Sequence, residues 1–450
     1  MSSEQAVRQV AKSWRLITVL VTLGIIAAGI CFKLVSLYIE DQAFLQNQGN
    51  ARSLRVVQVP AHRGMITDRN GEPVAVSAPV ATVWADPKMV DLQHVALAKV
   101  ASNIGLRKSE LVSKISARRG KRFLYLKRQV EPQIADRIRA LKVPGIHVER
   151  DYKRFYPAAD VVSHVVGFTN RDGKGQEGLE LAFEDALRSV PGKQLVLKDL
   201  LGRTIKHIRS ESAAQQGQSL RLSIDMRLQY LAFRELKAAV TAHKADSASL
   251  VMLDAKSGEV LAMANYPSYN PNNPAERVSA RLRNRAVTDL FEPGSTMKPM
   301  TVAAALMSGK YGLRSVVDTT PGYMRLKGKT ISDHRNYGEL DITGIITKSS
   351  NVGSVKLALS LETGSLRNLL ENVGLGRATG IGFPGERAGR LPYLSEGQVL
   401  QRATLSYGYG LSVTPLQLAQ SYLPLANDGL MTHATLLKTD EPESPARVMP

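Results

Sequence analysis

A chain of 450 residues is long enough for two or three domains, each with its own core. Hydrophobic residues make up 44% of it and charged residues 22%, which are the proportions of a globular protein and exclude a largely disordered chain. The formal net charge of +19 indicates attraction to anionic partners. The single cysteine, Cys31, excludes disulfide bonds within the chain and thiol-based metal sites, so we predict neither a metal nor a cofactor.

Residues 16–38 are predicted to form a transmembrane anchor. No charged residue occurs from Leu16 to Phe32, and the apolar stretch continues beyond Lys33. At about 1.5 Å per residue, a helix of this length crosses a hydrocarbon core of ~30 Å. A cleaved signal peptide is the alternative, but the long apolar stretch and the lack of a small-residue cleavage site favour an uncleaved anchor.

The charges that flank the anchor predict its orientation. Residues 1–15 contain three basic side chains, Arg8, Lys12 and Arg15, against the one acidic side chain of Glu4. The positive-inside rule therefore predicts a cytoplasmic N-terminal tail, with everything after the anchor outside. A mostly external protein without disulfide bonds fits the bacterial periplasm, so we expect a single-pass protein of the bacterial inner membrane.

The segment after the anchor opens with a predicted β-hairpin. Asn70-Gly71 lies between Ile66 and an apolar pattern that begins at Val74, a strong signal for a hairpin turn. Residues 89–142 are then predicted to be helical in pieces. Two apolar stripes indicate these helices, one at Val95, Leu97, Val100 and Ile104 and the other at Ile134, Ile138 and Leu141.

The most basic part of the chain overlaps these helices. Residues 101–150 contain 13 Lys or Arg against 4 Asp or Glu, a difference of +9. Aromatic residues that could stack on bases are sparse there, and the segment follows an outward-pointing anchor, so nucleic acid is not the predicted partner. The basic segment could instead attract anionic lipid headgroups, a carboxylate-bearing cell-wall polymer or an acidic protein surface. The alternative is a basic face that contacts only solvent.

Residues 154–180 are predicted to be a loop region punctuated by glycines. His164 lies in it without a second ligand at metal spacing, and we interpret it as a structural histidine. Farther along, a polar stretch without periodicity, residues 209–217, predicts a domain boundary. Residues 39–212 are therefore expected to form one mixed domain and residues 218–450 another.

Strands and helices alternate beyond the boundary. Residues 219–224 predict a strand, residues 225–240 a helix, and residues 250–263 two strands around a turn. Strands flanked by long apolar helices indicate an α/β domain with a central sheet.

Ser295 and Lys298 are the first candidate catalytic residues. Three positions apart on a helical turn, they lie on one face, so that the amine can accept the proton of a serine nucleophile. The following residues are apolar nearly all round, which predicts a buried helix and a desolvated Lys298. An exposed helix face that carries both side chains by chance is the alternative interpretation.

Ser349 and Asn351 follow 54 and 56 positions after Ser295. They occupy a polar break between two apolar segments, where a hydroxyl can lie beside the lysine and an amide beside a peptide. A helix cap is the alternative, because Ser and Asn commonly begin helices.

In this order the motifs resemble the penicillin-interacting serine enzymes, whose pattern is Ser-x-x-Lys, Ser-x-Asn and then Lys-Thr-Gly or Lys-Ser-Gly. The earlier segment looks like the pedestal of class B penicillin-binding proteins. The residues that carry this second resemblance are Arg63-Gly64, Asp68 to Gly71, Arg154, Tyr156-Pro157, His164, Gly167, Glu177-Gly178 and Glu180. It implies that Arg63, Glu177 and Glu180 form a structural charge network between the domains.

The third motif of this family is absent. Lys256-Ser257-Gly258 matches its letters but precedes Ser295 and belongs to a predicted hairpin turn. Residues 406–417 resemble the family again, and no Lys-Thr-Gly or Lys-Ser-Gly follows them. We expect a C-terminally incomplete version of an active enzyme, with a naturally shortened protein as the alternative. In the family the missing strand supplies an oxyanion-hole N–H and a carboxylate-binding lysine, and the loss of one oxyanion donor costs about a hundredfold or more in rate.

The resemblance implies an α/β penicillin-binding catalytic domain, a mixed pedestal and a membrane anchor. It further implies a peptidoglycan D,D-transpeptidase that cross-links stem peptides in the septal cell wall, as the division-specific members do. Ser295 would attack between two terminal D-alanines, Lys298 would take its proton, Ser349 would relay a proton, and Asn351 would hold the peptide. The implied partners are D-Ala-D-Ala stem peptides, β-lactams, the membrane, the division glycosyltransferase FtsW and other divisome proteins.

Three alternatives remain open. An elongation-type transpeptidase differs in partner and in place, and a D,D-carboxypeptidase transfers the acyl group to water. A non-catalytic division scaffold would retain the pedestal and only part of the site.

Overall fold

Strands and helices alternate in a computed structural model that describes residues 3–39, 54–199, 204–439 and 444–450. The strands are β1 Leu54–Val59, β2 Ile66–Thr67, β3 Pro73–Ala85, β4 Leu124–Val130, β5 Ile146–Phe155, β6 Phe168–Thr169, β7 Gly175–Glu177, β8 Gly192–Lys198, β9 Thr204–Ser212, β10 Leu220–Arg221, β11 Ala248–Leu253, β12 Val260–Tyr266, β13 Val316–Asp318, β14 Tyr323–Leu326, β15 Lys329–Ser332, β16 Glu339–Asp341, β17 Leu430–Met431 and β18 Ala446–Arg447.

The α-helices follow the same chain order. They are α1 Ser3–Ile39, α2 Leu97–Asn103, α3 Lys108–Ser116, α4 Pro132–Ala140, α5 Ser163–Val166, α6 Gly178–Ala182, α7 Glu184–Leu187, α8 Met226–His243, α9 Ser279–Leu282, α10 Arg285–Thr288, α11 Lys298–Met307, α12 Ile342–Thr347, α13 Asn351–Ser360, α14 Ser365–Asn372, α15 Val399–Leu405, α16 Pro415–Ser421 and α17 Leu423–Ala426.

The chain divides into two compact units. One consists of Met1–Pro60 with Pro191–Ala214, the other of Ala61–Val190 with Gln215–Pro450. The chain enters the second unit for the last time at Gln215, inside the polar stretch where the sequence predicts a boundary. The division into domains of residues 39–212 and 218–450 stays a prediction.

In the first unit, α1 contains the predicted anchor. Within it, Trp14–Leu37 contains an 18-residue window with a mean hydropathy of 2.3, and none of that window is buried, which leaves its apolar side chains free to face lipid. These 24 residues span about 36 Å as a helix, enough to cross a membrane core. The same unit contains an antiparallel sheet in the order β1-β8-β9.

A five-stranded sheet organises the beginning of the second unit. Its order is β10-β2-β3-β4, and β5 pairs with β3 as well. The predicted hairpin is confirmed, because β2 pairs antiparallel with β3 across a turn in which Gly71 has a φ of +92°. β10 runs parallel to β2 and so joins the chain after the boundary to the strands before it.

Helices α2 to α4 cover one face of β3, β4 and β5. Leu97, Val100 and Ile104 are buried there, as the first apolar stripe predicts. Val95 lies outside the helix and is 88% exposed, so its place in that stripe is wrong. The prediction of helical pieces for residues 89–142 also missed β4, whose apolar positions alternate at the strand period.

The largest core of the second unit includes residues from both sides of the predicted boundary. Ile66, Val74 and Leu179 pack in one continuous cluster with Val260 and Leu416. Apolar side chains from the two segments therefore exclude water together, and this packing positions them on each other.

The helix predicted for residues 225–240 is confirmed as α8, with the Asp225 carboxylate accepting a hydrogen bond from the backbone N–H of Arg227 at its N-terminus. Strands β11 and β12 form the predicted antiparallel pair. Thr435 forms an isolated bridge to Glu259, just before β12, and Leu437 forms one to Leu222, just after β10. Only residues 220–221 of the strand predicted for 219–224 are paired as a strand.

Candidate active site

A tight turn presents Ser295 at the surface. Residues Gly294–Met297 form a 3-10 turn that continues directly into α11, and Pro299 occupies its first turn, where a missing N–H leaves no hydrogen bond unmade. Met297 and Met300 anchor the turn in an apolar core, whereas Ser295 is exposed. The predicted buried helix is confirmed, because Lys298 is 2% exposed.

Lys298 lies between the two candidate serines. Its Nζ is 3.2 Å from the Ser295 Oγ and 2.9 Å from the Ser349 Oγ, and it also donates a hydrogen bond to the Ser349 carbonyl oxygen. The structure thus brings these three predicted residues together within hydrogen-bond distance. A single amine that contacts two hydroxyls can pass a proton between them.

The surroundings of Lys298 favour its neutral form. Burial lowers the pKa of Lys298 to about 8, and the negative charge of Asp333 opposes this effect. Near neutral pH a usable fraction of the side chain is therefore unprotonated. This is the property that a general base needs.

Ser349 occupies an unusual backbone conformation. Its φ is +54°, in the left-handed region that residues other than glycine rarely adopt. The residue joins the end of α12 to the start of α13, and Ser350 caps α13 by accepting a hydrogen bond from the N–H of Gly353 at 2.9 Å. The break predicted from the sequence therefore contains a helix cap, formed by Ser350, beside a serine that contacts Lys298.

Asn351 begins α13 on the partly exposed side of the turn. Its Nδ2 donates a hydrogen bond of 3.0 Å to the Ser332 carbonyl oxygen, at the end of β15. The hydrogen bonds of Lys298 run to Ser295 and Ser349, whereas the Asn351 amide bonds to Ser332. The amide is thus placed beside the site rather than in the contact between the amine and the hydroxyls.

Asp333 is a residue at this site that the sequence motifs missed. Its carboxylate accepts hydrogen bonds from the Ser350 hydroxyl at 2.6 Å and from the Val352 N–H at 3.0 Å. The signal in the sequence is only a carboxylate after a short strand, and its partners follow 17 and 19 positions later. Nothing local in the chain indicates such a contact.

The stretch of residues 406–414 packs directly against the serine turn. The backbone of Gly294 donates to the Gly408 carbonyl at 3.0 Å, and Phe291 bridges to Val413. A β-carbon at Gly408, whose φ is +84°, would lie 2.0 Å from the Gly294 carbonyl oxygen. Glycine is required at this position because of both the close approach and the positive φ.

Lys256-Ser257-Gly258 lies in the turn between β11 and β12, as predicted. The Asp254 carboxylate accepts hydrogen bonds from the N–H groups of Lys256 and Ser257 and from the Ser257 hydroxyl. These bonds hold the pKa of Asp254 below its usual value. The side chains of this turn are used to close the hairpin.

Two family descriptions match most of the chain. Residues 248–450 match the "Penicillin binding protein transpeptidase domain", and residues 58–222 match the "Penicillin-binding Protein dimerisation domain". The chain is 44% identical over 443 residues to "Peptidoglycan D,D-transpeptidase FtsI" of Escherichia coli K12, covering 97% of this chain and 75% of that protein. The chain belongs to the class B penicillin-binding proteins.

Two further comparisons agree with this membership. "Probable peptidoglycan D,D-transpeptidase PbpC" of Pseudomonas aeruginosa is 40% identical, over 97% of this chain and 77% of its own. The crystal structure of penicillin binding protein 3 of Mycobacterium tuberculosis in complex with aztreonam is 26% identical, with a TM-score of 0.64, 88% of this chain covered and 72% of that one. The predicted family and the mixed α/β penicillin-binding fold are confirmed.

The segment matched as the dimerisation domain contains a buried charge network. The carboxylate of Glu180, which is 0% exposed, accepts hydrogen bonds of 2.6 Å from Arg63 Nε and from Arg154 Nε. Arg63 also pairs with Glu184 at 2.7 Å. The structure thus brings Arg63 and Glu180 together, with Arg154 and Glu184 as partners, all within residues 58–222.

Glu177 lies elsewhere. It lines a cavity of about 480 Å³ together with His164, Tyr269 and Arg283, and burial raises its pKa. Arg63 forms its ion pairs with Glu180 and Glu184 instead. Contacts between the two matched segments are made instead by other groups, such as the Arg281 carbonyl, which His164 Nε2 contacts at 2.8 Å.

His164 is buried and hydrogen-bonded, as its structural interpretation expects. Burial lowers its pKa to about 4, so the ring is neutral at physiological pH. Within the described ranges, no group of three or more His, Cys, Asp or Glu side chains is arranged to bind a metal ion.

Proposed function

We propose that this protein is a peptidoglycan D,D-transpeptidase that cross-links stem peptides through an acyl-enzyme on Ser295. One observation carries the proposal. The amine of Lys298, 2% exposed, lies 3.2 Å from the Ser295 hydroxyl and 2.9 Å from that of Ser349. A buried amine between two hydroxyls supports acyl transfer without a histidine.

The first half-reaction forms an ester. Ser295 Oγ attacks the carbonyl carbon between two terminal D-alanines, and neutral Lys298 Nζ accepts the hydroxyl proton. The C–N bond then breaks, and the departing amine of D-alanine receives a proton through the Ser349 hydroxyl, which Lys298 contacts. The D-alanine leaves and the remaining peptide stays on Ser295 as an ester.

The second half-reaction forms the cross-link. The amine of a neighbouring stem peptide attacks the ester carbonyl, loses a proton to the same relay, and releases Ser295 with its hydroxyl restored. Asn351, on the partly exposed side of the turn, is placed to donate or accept a hydrogen bond with the peptide backbone. A β-lactam would stop this cycle because its amide carbonyl acylates Ser295.

The proposed place of action is the division septum. The support is the 44% identity to FtsI of Escherichia coli over nearly the whole chain. The anchor helix α1 fits a single span of the bacterial inner membrane, with the N-terminus in the cytoplasm and the site in the periplasm. In that setting the glycan strands come from another enzyme, for which the division glycosyltransferase FtsW is the proposed partner beside other divisome proteins.

Fluorescent penicillin tests the nucleophile. The full chain in detergent should become labelled, and Ser295→Ala should abolish labelling while the melting temperature stays unchanged. Ser257→Ala is the matched control, because Ser257 also follows a lysine near a glycine but lies in a hairpin turn. Labelling of Ser295→Ala, or none of a folded wild-type chain, contradicts the proposal.

Product analysis tests the acceptor. With a pentapeptide donor and an amine acceptor, a transpeptidase yields the cross-linked amide, whereas a D,D-carboxypeptidase yields only the shortened acid. Mid-cell fluorescence of a tagged chain separates a septal role from an elongation role.

A further inference from the structure

A row of aromatic side chains crosses one face of the sheet formed by β3, β4 and β5. The strand register places Trp84 of β3 beside Tyr125 on one side and His147 on the other. The rings of Trp84 and His147 stack with their centroids 4.2 Å apart. The ring of Phe123, just before β4, lies 4.9 Å from that of Trp84 and 4.6 Å from that of Tyr125, measured between centroids. We call these four side chains the aromatic row.

The aromatic row lies on the face of the sheet that the helices leave uncovered. Successive residues of a strand point to opposite faces. The neighbours of Trp84 in β3, Val83 and Ala85, belong to the core beneath α2 to α4, so Trp84 points away from those helices. Phe123 is 45% exposed and Tyr125 is 52% exposed. Large exposed aromatic side chains in mutual contact, with polar groups around them, are typical of an interaction surface.

A basic loop, residues 118–122, adjoins the aromatic row. It connects α3 to the start of β4, and its four cations are all exposed: Arg118, Arg119, Lys121 and Arg122. In the part of the chain that the structure describes, the ion pairs of residues 101–150 are formed by other arginines, namely Arg107, Arg128 and Arg139. The four cations are therefore available to an anionic ligand. The exposed Glu149, two residues beyond His147 on β5, limits the basic surface on that side.

The rings and the cations together select a class of ligand. Neighbouring strands are about 4.8 Å apart, so a row across three strands is about 10 Å long, which matches two linked sugar rings. The C–H faces of sugar rings pack against flat aromatic rings, and arginine side chains pair with carboxylates. The glycan strand of peptidoglycan combines both features, because its sugars carry stem peptides with carboxylate groups.

A lipid surface or an acidic protein surface matches only part of this arrangement. Apolar side chains that enter a bilayer lie on the exposed face of an amphipathic helix, whereas these rings lie on a sheet and the basic loop contains only cations and a glycine. An acidic protein surface would pair with the cations but would not require a row of rings.

We propose that the aromatic row and the basic loop bind a glycan strand of peptidoglycan. The sugar rings pack on Phe123 and Tyr125, and the stem-peptide carboxylates pair with the cations of the basic loop. The choice of polymer rests on the proposed function, whereas the binding itself requires no acyl transfer. Such binding would keep the polymer on the enzyme between successive cross-links.

Sedimentation with purified, insoluble peptidoglycan tests the aromatic row. The full chain in detergent, with Ser295→Ala in every sample to exclude acyl transfer, should bind the polymer. Adding Phe123→Ala and Tyr125→Ala should weaken binding about tenfold or more. Phe123→Tyr, which retains a ring, should bind like the parent chain. Equal binding by the double alanine variant and its parent would overturn the proposal.

Tyr230→Ala is the matched control for the rings. Tyr230 lies on α8, is 56% exposed, and has Arg227 and Arg234 three and four positions away on the same helix face. Its loss should leave binding within about twofold of the parent chain. An equal loss of binding in Tyr230→Ala and in the double alanine variant would show that any exposed ring suffices and would overturn the proposal.

Charge substitutions test the basic loop. Arg119→Gln, Lys121→Gln and Arg122→Gln together should weaken binding at low salt and make the remaining binding less sensitive to salt, because exposed charges are screened. The control removes the same charge from exposed positions in and just after α8, with Arg234→Gln, Lys237→Gln and Lys244→Gln. Equal losses in the two triple variants would show attraction by total charge alone, which contradicts the proposal.

Two further ligands separate the other occupants. Polyglutamate should bind the double alanine variant and its parent equally, because it offers carboxylates without sugar rings. If the rings contributed to binding of anionic phospholipid vesicles but not of peptidoglycan, the surface would be a lipid site and the proposal would fail.

Tryptophan fluorescence locates the contact. Trp14 and Trp84 are the two tryptophans of the chain, so Trp14→Phe leaves Trp84 as a single reporter. Soluble glycan strands without stem peptides should change its emission, because Phe123, on which the sugars are proposed to pack, contacts Trp84. Binding that leaves the emission unchanged would place the strand elsewhere and refute the proposal.

Failure of this inference can be told apart from failure of the proposed function. A folded chain with Ser295 intact that fluorescent penicillin does not label, but whose Ser295→Ala form binds peptidoglycan through the aromatic row, keeps this surface and loses the proposed function. Labelling by penicillin together with binding that is independent of the rings keeps the proposed function and overturns the glycan site.

Discussion

Two charged side chains are buried in the same compact unit, but only one of them is surrounded by groups of opposite charge. Glu180, 0% exposed, receives hydrogen bonds from two guanidinium groups, those of Arg63 and Arg154. Lys298, 2% exposed, faces the hydroxyls of Ser295 and Ser349, which carry no charge.

The two environments differ in whether they compensate the charge of the buried group. At 2.6 Å, the two guanidinium groups compensate the negative charge of Glu180 and fix its geometry. Neutral hydroxyls leave the desolvation of Lys298 largely uncompensated, so its pKa falls to about 8. Burial alone therefore does not distinguish a structural charge from a catalytic one, whereas the charge of its partners does.

Lys298→Met should have the largest effect, and on chemistry alone. Removing the general base should slow acylation by about 10³- to 10⁴-fold. The free energy of unfolding should stay level or rise, because an apolar side chain of similar length replaces a cation whose charge is poorly compensated. Stopped-flow acylation and urea unfolding measure the two quantities, and a strongly destabilised variant would show that Lys298 is structural.

Glu180→Gln should lower the stability of the fold and leave the acylation rate unchanged. It leaves two buried guanidinium groups without their carboxylate, and we expect a loss of about 3–5 kcal/mol in the free energy of unfolding. Acylation per folded molecule should not change. Glu110→Gln is the matched control, because Glu110 pairs with Arg107 at the surface and its loss should leave the unfolding curve unchanged. If Glu180→Gln and Glu110→Gln changed the free energy of unfolding equally, the buried charge network would not have the structural role inferred for it.

Ser349→Ala should have an intermediate effect. The variant loses the hydroxyl that Lys298 contacts at 2.9 Å and with it the proposed proton relay. A hydrogen bond to an ionisable partner of this kind is worth about 1.5–3 kcal/mol, so acylation should slow by about 10- to 100-fold. A rate equal to that of wild type would remove Ser349 from the mechanism.

The pH profile should show the smallest effect. The reactive form of Lys298 is neutral, and its pKa is lowered to about 8, so the acylation rate should rise with pH through that value. Between pH 7 and pH 9 the neutral fraction grows roughly tenfold, and the rate should follow it. A profile that is flat over this range would show that another group accepts the proton.

The residues that the sequence predicted best are those whose geometry is local. Ser295 and Lys298 are three positions apart, and the helical repeat alone places them on one face. The apolar neighbours of Lys298 in the sequence likewise predicted its burial, which the structure confirms. Asn70-Gly71 predicted its hairpin for the same reason, since a tight turn depends on adjacent residues.

The residues that the sequence could not predict depend on contacts between distant parts of the chain. The bond from Ser350 to Asp333 and the approach of Gly408 to Gly294 arise only when separate segments meet. Glu177 differs from Glu180 by three positions, yet one lines a cavity and the other is enclosed by arginines. Val95 fits an apolar stripe by spacing, but α2 begins two residues later.

The shared core limits how this protein can be divided into fragments. It contains Ile66, Leu179, Val260 and Leu416. A fragment that begins at residue 248 would keep Val260 and Leu416 but lose the side chains that cover them. Its exposed apolar surface would favour aggregation over independent folding. In calorimetry the two matched segments should accordingly melt together in a single transition. A substitution that unfolds the pedestal should therefore also unfold the segment that carries Ser295.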